Sequence, residues 1–469
     1  MNLKFALMLL LGLLVAASDV QMACDEDSDC QNLNSCKDGE CEHKDLFGLE
    51  VIEVFGTIII LIFCAMANSA GIGGGPLMVP ILIIMLGFNT HFAVPLTQII
   101  KFGGSLIAIV LKFKKRHPTK DRPLIYYELI MHVQSPVLLG ATYGVMLNKI
   151  FPSWIILSCL LLLLIYLAYD SGKRGRGLYK KETEHKNEVK SEIGTASRGD
   201  NEYPEENDAE YSESFGLKKA EESPSENAKL TKLLKEESAT LPPKKFAVIF
   251  AIYVIVVAVS FMMGGKGVDS MIGIENCSGT YFGFLVGLTV VLVGIDILTG
   301  WMLIRLTKFR EECNYEYDSG DLHWDLKKTV IVGTVGFIAG LGAGLLGIGV
   351  GLVMNPVMLR MGVRPEVAAA SSSFMILFAA SFATIQYFEA GMVDPAYGLW
   401  LLVTAFIGSA IGIFSLTKLV QKYDRASLLV ILLSVLLCLA AVMILTYGII
   451  DTVDKESKGT AEYGFSEFC

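Results

Sequence analysis

The chain has 469 residues, 53% hydrophobic and 19% charged, with a formal net charge of −9. A soluble domain carries about a quarter charged residues, and here the apolar residues gather into runs of the ~18 or more that cross a bilayer as helix. Composition therefore excludes an ordinary soluble domain, and the lack of a long basic tract excludes nucleic acid as a partner. The expected class is an all-α polytopic membrane protein with the lipid bilayer as its partner.

Residues 1–17 read as a secretory signal peptide, with Lys4 at its start and Val15-Ala16-Ala17 as a small-residue cleavage site. A first membrane anchor is the alternative, disfavoured by the short run and its acidic exit. Residues 18–49 hold Cys24, Cys30, Cys36 and Cys41 among acids and turn-formers. In an exported segment this predicts two disulfides, with the pairing left open; a zinc site fits less well without a CxxC pair.

Apolar segments follow at about 51–69, 76–87, 91–112, 124–148 and 152–169, forming a first unit over 50–170. Residues 171–245 are dense in Glu, Lys, Ser and Asn and are expected to be a disordered cytosolic linker. Two connecting helices come next within 246–304, then a charged cytosolic loop at 305–327. A second unit over 328–450 has segments at 328–346, 350–361, 364–388, 396–418 and 427–449, before an extracytosolic tail at 451–469.

The two units match in sequence. GIGGGPLMVPIL (71–82) lies on GIGVGLVMNPVM (347–358), so Gly71, Gly73, Gly75, Met78 and Pro80 fall on Gly347, Gly349, Gly351, Met354 and Pro356. LGFNTHFAVPLTQ (86–98) meets MGVRPEVAAASSS (361–373), and GATYG (140–144) meets GSAIG (408–412), two small-xxx-small patterns that allow close helix packing. Basic loops mark the cytosolic side. KFKKRHPTKDR (112–122), SGKRGRG (171–177) and TKLVQKYDR (417–425) are basic, and the matching loops of the opposite unit are not. The first unit thus starts outside and the second inside, with Asn276 of Asn276-Cys277-Ser278 as an outward glycosylation sequon. The expected architecture is two inverted-topology repeats.

Segments 76–87 and 350–361 are too short to cross, so each is expected to be a broken or re-entrant helix after a glycine loop. Free N–H groups at the start of such a half-helix favour an anion. The candidate substrate ligands are Gly71, Gly73, Gly74, Gly75, Gly347, Gly349 and Gly351, with Asn68 and Asn355 beside the loops. Thr97, Gln98, Ser371, Ser372 and Ser373 add polar groups that bind an oxyanion or simply link helices. Lys101 either balances an anion or snorkels toward a cavity. Asp296, Glu128 and His132 are ionisable groups in or near apolar runs that could carry a coupling proton, Asp296 being best placed. The glycines could also serve tight helix packing alone.

No Walker A sequence and no GxSG-type serine are present, Asp296 has no evident catalytic partner, and Cys313 and His323 lack metal-ligand spacing. No enzyme activity, cofactor or metal is expected.

GIGGGPLMVP, LGFNTHFAVPLTQ and GLLGIGVGLVMNPVMLRMGVRPEVAAASSS together resemble the sulfite exporter TauE/SafE family over about 50–170 and 246–450. The family's Ala-Thr-Ser pattern is kept in part, as AVPLTQ (93–98) and AAASSS (368–373). The cysteine-rich head and long linker are similar to those of eukaryotic, particularly protist, members. The resemblance implies ion-gradient-driven transport of small sulfur-containing anions such as sulfite or sulfonates. From the residues the expectation is a secondary transporter of a small anion coupled to protons or sodium, in the plasma membrane or an endomembrane with its head outside or lumenal. A channel, or a receptor using the cysteine-rich head, is the alternative.

Overall fold

The structure, a computed structural model, describes residues 34–37, 40–43, 51–69, 71, 73–196, 231, 234–275, 278–318, 320–423 and 427–458. The signal peptide, Cys24, Cys30 and the Asn276 sequon lie outside the described residues. Of the head, two short strands are described, β1 (Asn34–Lys37) and β2 (Glu40–His43), an antiparallel pair that sets Cys36 opposite Cys41.

Twelve helices follow among the described residues: α1 (Val51–Ser69), α2 (Gly75–Ile84), α3 (Thr90–Lys112), α4 (Tyr127–Ile150), α5 (Ser153–Ala196), α6 (Pro243–Met263), α7 (Gly279–Glu312), α8 (Leu326–Leu346), α9 (Val350–Arg360), α10 (Pro365–Glu389), α11 (Pro395–Tyr423) and α12 (Ser427–Lys458). Nine of the described helices contain a stretch long and apolar enough to cross a bilayer. Local chemistry sets their starts: Asn89, Ser278 and Asp325 accept the backbone N–H of Phe92, Tyr281 and Lys328 at 3.1, 3.2 and 2.6 Å. Pro243 and Pro365 stand in the first turns of α6 and α10, where a missing N–H costs nothing. α5 departs from the sequence expectation, because the helix does not stop near residue 170 but continues to Ala196. Arg174 pairs with Asp170 at 2.7 Å one turn apart, so this polar stretch supports itself as helix.

α2 has 10 residues and α9 has 11, roughly 15 Å each and about half a bilayer core. α1 and α2 form a hairpin: a Cβ at Gly74 would lie 3.0 Å from Ala67, and one at Gly56 would lie 2.6 Å from Leu86. The chain thus turns at the glycines and comes back beside the start of α1. The turn is deep, because Asn68 lies against Gly104, within α3. α8 and α9 double back likewise: Trp324, just before α8, shares a buried cluster with Met358 and Val363 at the end of α9.

Partners are exchanged between the two units. α4 packs on α8 through Gly140 against the Phe337 carbonyl and Gly144 against the Leu341 carbonyl, so close that a Cβ at either glycine would clash. α11 packs on α1 through Gly408, whose Cβ position would lie 2.5 Å from the Leu61 carbonyl, and Gly412 against Ala65. The two aligned small-xxx-small motifs therefore do the same work, each seating the fourth helix of one unit on the first helix of the other. In both pairs residue numbers rise together, so the helices run in the same sense. α3 and α10 oppose each other instead, with Lys112 at the end of α3 against Ala369 and Ser373 at the start of α10. Two apolar clusters result, one around α2 from α1, α3, α5, α11 and α12, the other around α9 from α4, α8 and α10.

Candidate functional site

The two glycine turns meet between α3 and α10. Gly71 and Gly347, aligned in sequence, both have left-handed backbones, φ 71° and 68°, a conformation in which a side chain costs roughly 1–2 kcal/mol. The aligned pair Gly75 and Gly351 instead mark close approach. A Cβ at Gly75 would meet the Gly347 carbonyl and lie 2.9 Å from the Gly349 nitrogen; one at Gly351 would lie 2.7 Å from the Gly71 carbonyl. Gly73 and Gly349 part company: Gly73 has φ 80° and Gly349 an extended φ of −74°. Gly74, at φ 67°, is the residue before α2 and packs against Ala67 and Met78.

Each turn is clasped by side chains of the opposite unit. Ser372 Oγ donates to the Gly71 carbonyl at 2.8 Å, and Asn355 Nδ2 donates to the same oxygen at 3.0 Å. At the other turn Lys101 Nζ donates to the Gly347 carbonyl at 3.0 Å and lies 3.4 Å from that of Ile348. Thr97 Oγ donates to Val94 at 2.7 Å and sits 3.5 Å from the Gly347 oxygen. Thr97 and Ser372, matched in the alignment, thus occupy matched places. Lys101 is 1% exposed, so it neither snorkels nor opens to water. Its Nζ caps the carbonyl end of α8 as a hydrogen-bond donor.

The remaining candidates spread outward from this crossing. Gln98 Nε2 donates to the Ala343 carbonyl at 2.5 Å, tying α3 to the last turn of α8. Asn68 donates to Ser409 Oγ at 2.8 Å and to Cys64 at 3.3 Å, a link from α1 to α11 beside the crossing. The three consecutive serines point about 100° apart around α10 and find three partners. Ser372 holds Gly71, Ser373 Oγ lies 3.2 Å from Lys112 Nζ, and Ser371 Oγ accepts the Tyr126 N–H at 2.9 Å.

The sequence-expected ionisable residues lie elsewhere. His132 Nδ1 stands 3.2 Å from Asp296 Oδ1 and 3.3 Å from Thr299 Oγ, and its Nε2 stands 3.1 Å from the Thr329 carbonyl, which joins α4, α7 and α8. Glu128 is buried at the start of α4 and accepts from Arg310 at 3.0 and 2.5 Å and from Lys245 at 2.7 Å. Glu128, Arg310 and Lys245 line a vestibule together with His117, Arg122, Tyr126, Glu237 and Arg364, and the Tyr126 N–H is bonded to Ser371. Sequence reasoning missed the vestibule, whose residues come from four distant stretches; only the basic run 112–122 hinted at it. In its rim, burial and the neighbouring Arg122 hold the His117 imidazole below its usual value. Burial opposes the charge of Arg122, and Asp321, bonded to it, outweighs that and keeps it firmly protonated. No cluster of three or more His, Cys, Asp or Glu suited to a metal occurs among the described residues.

Comparison with known proteins gives the family. The family model described as "Sulfite exporter TauE/SafE" matches residues 3–197 and 331–464. The chain is similar to Sulfite exporter TauE/SafE family protein 3 of Arabidopsis thaliana, 27% identical over 419 residues, covering 89% of this chain and 82% of that one. It is also similar to family protein 2 of the same plant, 27% identical over 408 residues, covering 85% and 83%. Probable membrane transporter protein YunE of Bacillus subtilis (strain 168) is 24% identical over 191 residues, 39% of this chain and 68% of that one. No solved structure matches the chain. With nine helices among its described residues long and apolar enough to cross a membrane, and a family match over residues 3–197 and 331–464, the chain is an integral, multi-pass membrane protein and belongs to the sulfite exporter TauE/SafE family of membrane transporters.

Proposed function

We propose that the protein is a secondary transporter of a small oxyanion, with sulfite or a sulfonate as the substrate class, working by alternating access between two inverted repeats. The exchange of partners and the opposed run of α3 and α10 support the inverted arrangement. One observation carries the anion: the first turns of α2 and α9 face each other, with the Gly75 Cβ position 2.9 Å from the Gly349 nitrogen. Two positive helix ends pressed together repel, and an anion between them turns that repulsion into attraction. Lys101 adds a buried cation one carbonyl away, and Ser372, Asn355 and Thr97 supply neutral polar groups. The side chains that now clasp the turns are the ones an entering oxyanion would recruit, so opening the crossing and binding substrate are one event.

The coupling ion in this reading is a proton held by His132 and Asp296. Both ring nitrogens of His132 face acceptors, and Thr299 Oγ is committed as a donor to its own helix at 2.9 Å. In this reading the pair takes up and releases the coupling proton, with Thr299 and the Thr329 carbonyl orienting the imidazole.

The test is sulfite flux into proteoliposomes under an imposed proton or sodium gradient. The expected result is saturable uptake that follows the proton gradient and whose apparent affinity falls about tenfold or more in Lys101→Met, the loss of one charge-assisted contact. Flux indifferent to both gradients would make the protein a channel, and an unchanged affinity in Lys101→Met would remove the crossing as the site.

A further inference from the structure

The far end of the segment expected to be a loose linker is not loose. Residues 234–237 form a helical turn, and Glu237 enters the vestibule between α6 and α7. Glu237 Oε1 accepts from Arg310 Nη2 at 2.5 Å, and its Oε2 accepts from the Tyr315 hydroxyl at 2.9 Å. The Ser238 carbonyl next to it is bonded by Arg116 of the α3–α4 loop. Both ends of one carboxylate are thus gripped by residues of the membrane part.

Charge explains why that carboxylate is there. Arg310 and Lys245 both reach Glu128, leaving one positive charge unmatched on the vestibule wall. The Arg310 side chain is 6% exposed, so water compensates it poorly. Among the described residues the only other acid bonded to either side chain is Glu237, from the linker. Tyr315 is held as a phenol, because burial and then the Glu237 carboxylate push its proton affinity up, so it presents a donor to whatever anion sits there. The guanidinium of Arg310 also lies 5.2 Å over the Tyr315 ring, which fixes both donors in place.

The same vestibule borders the start of α10. Tyr126 and Val367 line it, and the Tyr126 N–H is bonded to Ser371, next to the Ser372 that clasps Gly71.

We propose that Arg310 and Tyr315 form a second, peripheral oxyanion site at the mouth of the transport path, and that Glu237 of the linker occupies it as a tethered competitor. A free oxyanion entering from this face displaces Glu237, takes its two contacts, and releases residues 234–238 from the mouth. The linker thereby sets the concentration at which the mouth opens. The inference deepens the anion-transport reading, but the site is separate from the glycine crossing and is tested separately.

The experiment measures thermal stabilisation of the full-length purified protein by sodium sulfite and by sodium sulfate. It compares the wild type, Glu237→Gln, Tyr315→Phe, the double variant, and Glu237→Gln combined with Lys101→Met. Glu237→Gln keeps the side chain's size and leaves the Arg310–Glu128 pair intact. The expected result is a roughly tenfold fall in the half-maximal anion concentration in Glu237→Gln, cancelled in the double variant with Tyr315→Phe. The gain persists beside Lys101→Met, because the crossing is not involved. An unchanged half-maximal concentration in Glu237→Gln, or no stabilisation by either anion in any of the proteins, overturns the proposal. A gain that vanishes only with Lys101→Met also overturns it, by assigning the anion to the crossing. A gain that survives both Lys101→Met and a failure of gradient-driven flux leaves the peripheral site standing and refutes the transport reading alone.

Discussion

Gly351→Ala adds one methyl group where the two glycine turns touch. The new carbon would stand 2.7 Å from the Gly71 carbonyl oxygen, 2.9 Å from Ile376 Cδ1 and 3.1 Å from Ser372 Cβ. Ile376 can rotate away; the Gly71 carbonyl is backbone and must move by several tenths of an ångström. That oxygen accepts from Ser372 at 2.8 Å and Asn355 at 3.0 Å, so the shift strains or breaks both bonds. Overpacking costs about 1–3 kcal/mol, and each neutral bond contributes about 0.5–1.5 kcal/mol. Against this, alanine gains up to ~1 kcal/mol over glycine as a helix former. The net expectation is a loss of about 3 kcal/mol, with transport falling further than stability because the two units can no longer close on each other. Gly287→Ala is the matched control: nothing lies within 4 Å of its Cβ position on α7, so only the helix-propensity gain remains. Chemical unfolding in detergent and sulfite flux in liposomes read both. If Gly351→Ala unfolds with or after the wild type and transports normally, the turns are not in the contact that carries the site.

Two further outcomes follow from other parts of the structure. Asp296→Asn keeps a hydrogen-bonding group 3.2 Å from His132 but cannot take up a proton; sulfite exchange should persist while uptake driven by a proton gradient falls at least about tenfold. Loss of both, or of neither, would count against proton coupling at this pair. The second concerns His117, whose proton affinity is lowered by burial and by Arg122. Such a group contributes stability above its unfolded value of about 6.5, and that stability is lost as pH falls through its lower folded value. Amide exchange in residues 115–125 should therefore slow less between pH 7 and 5 than base catalysis predicts, and His117→Gln should remove the difference. An identical pH response in that variant would assign the effect to another group.

Helix positions were legible in the sequence because each is an apolar run bounded by a cap, a proline or a glycine. The alignment of 71–82 with 347–358 pairs Gly71 with Gly347 and Gly75 with Gly351, and the members of each pair behave alike in the structure. It did not foretell that Gly73 and Gly349 differ, since backbone angles at a glycine leave no trace in residue type. Lys101 was singled out as a costly buried cation, but its partner is a helix-end carbonyl, and carbonyls are invisible to a reading based on side chains. The vestibule escaped for a different reason: Glu128, Glu237, Arg310 and Tyr315 are ordinary charged and polar residues in their own stretches, and only folding brings them together. Glu237 was moreover hidden inside a segment whose composition argues for disorder.

The exchange of partners between α1 and α11, and between α4 and α8, bears on how the protein is made. When the first unit leaves the ribosome, α1 and α4 enter the bilayer with their close-packing faces uncovered. Neither can be seated until the second unit has been synthesised beyond the linker. The first half is then a set of inserted but undocked helices, guarded by the quality-control machinery of its membrane rather than by its own fold. Two polypeptides divided within the linker should assemble when made together, and each made alone should be degraded.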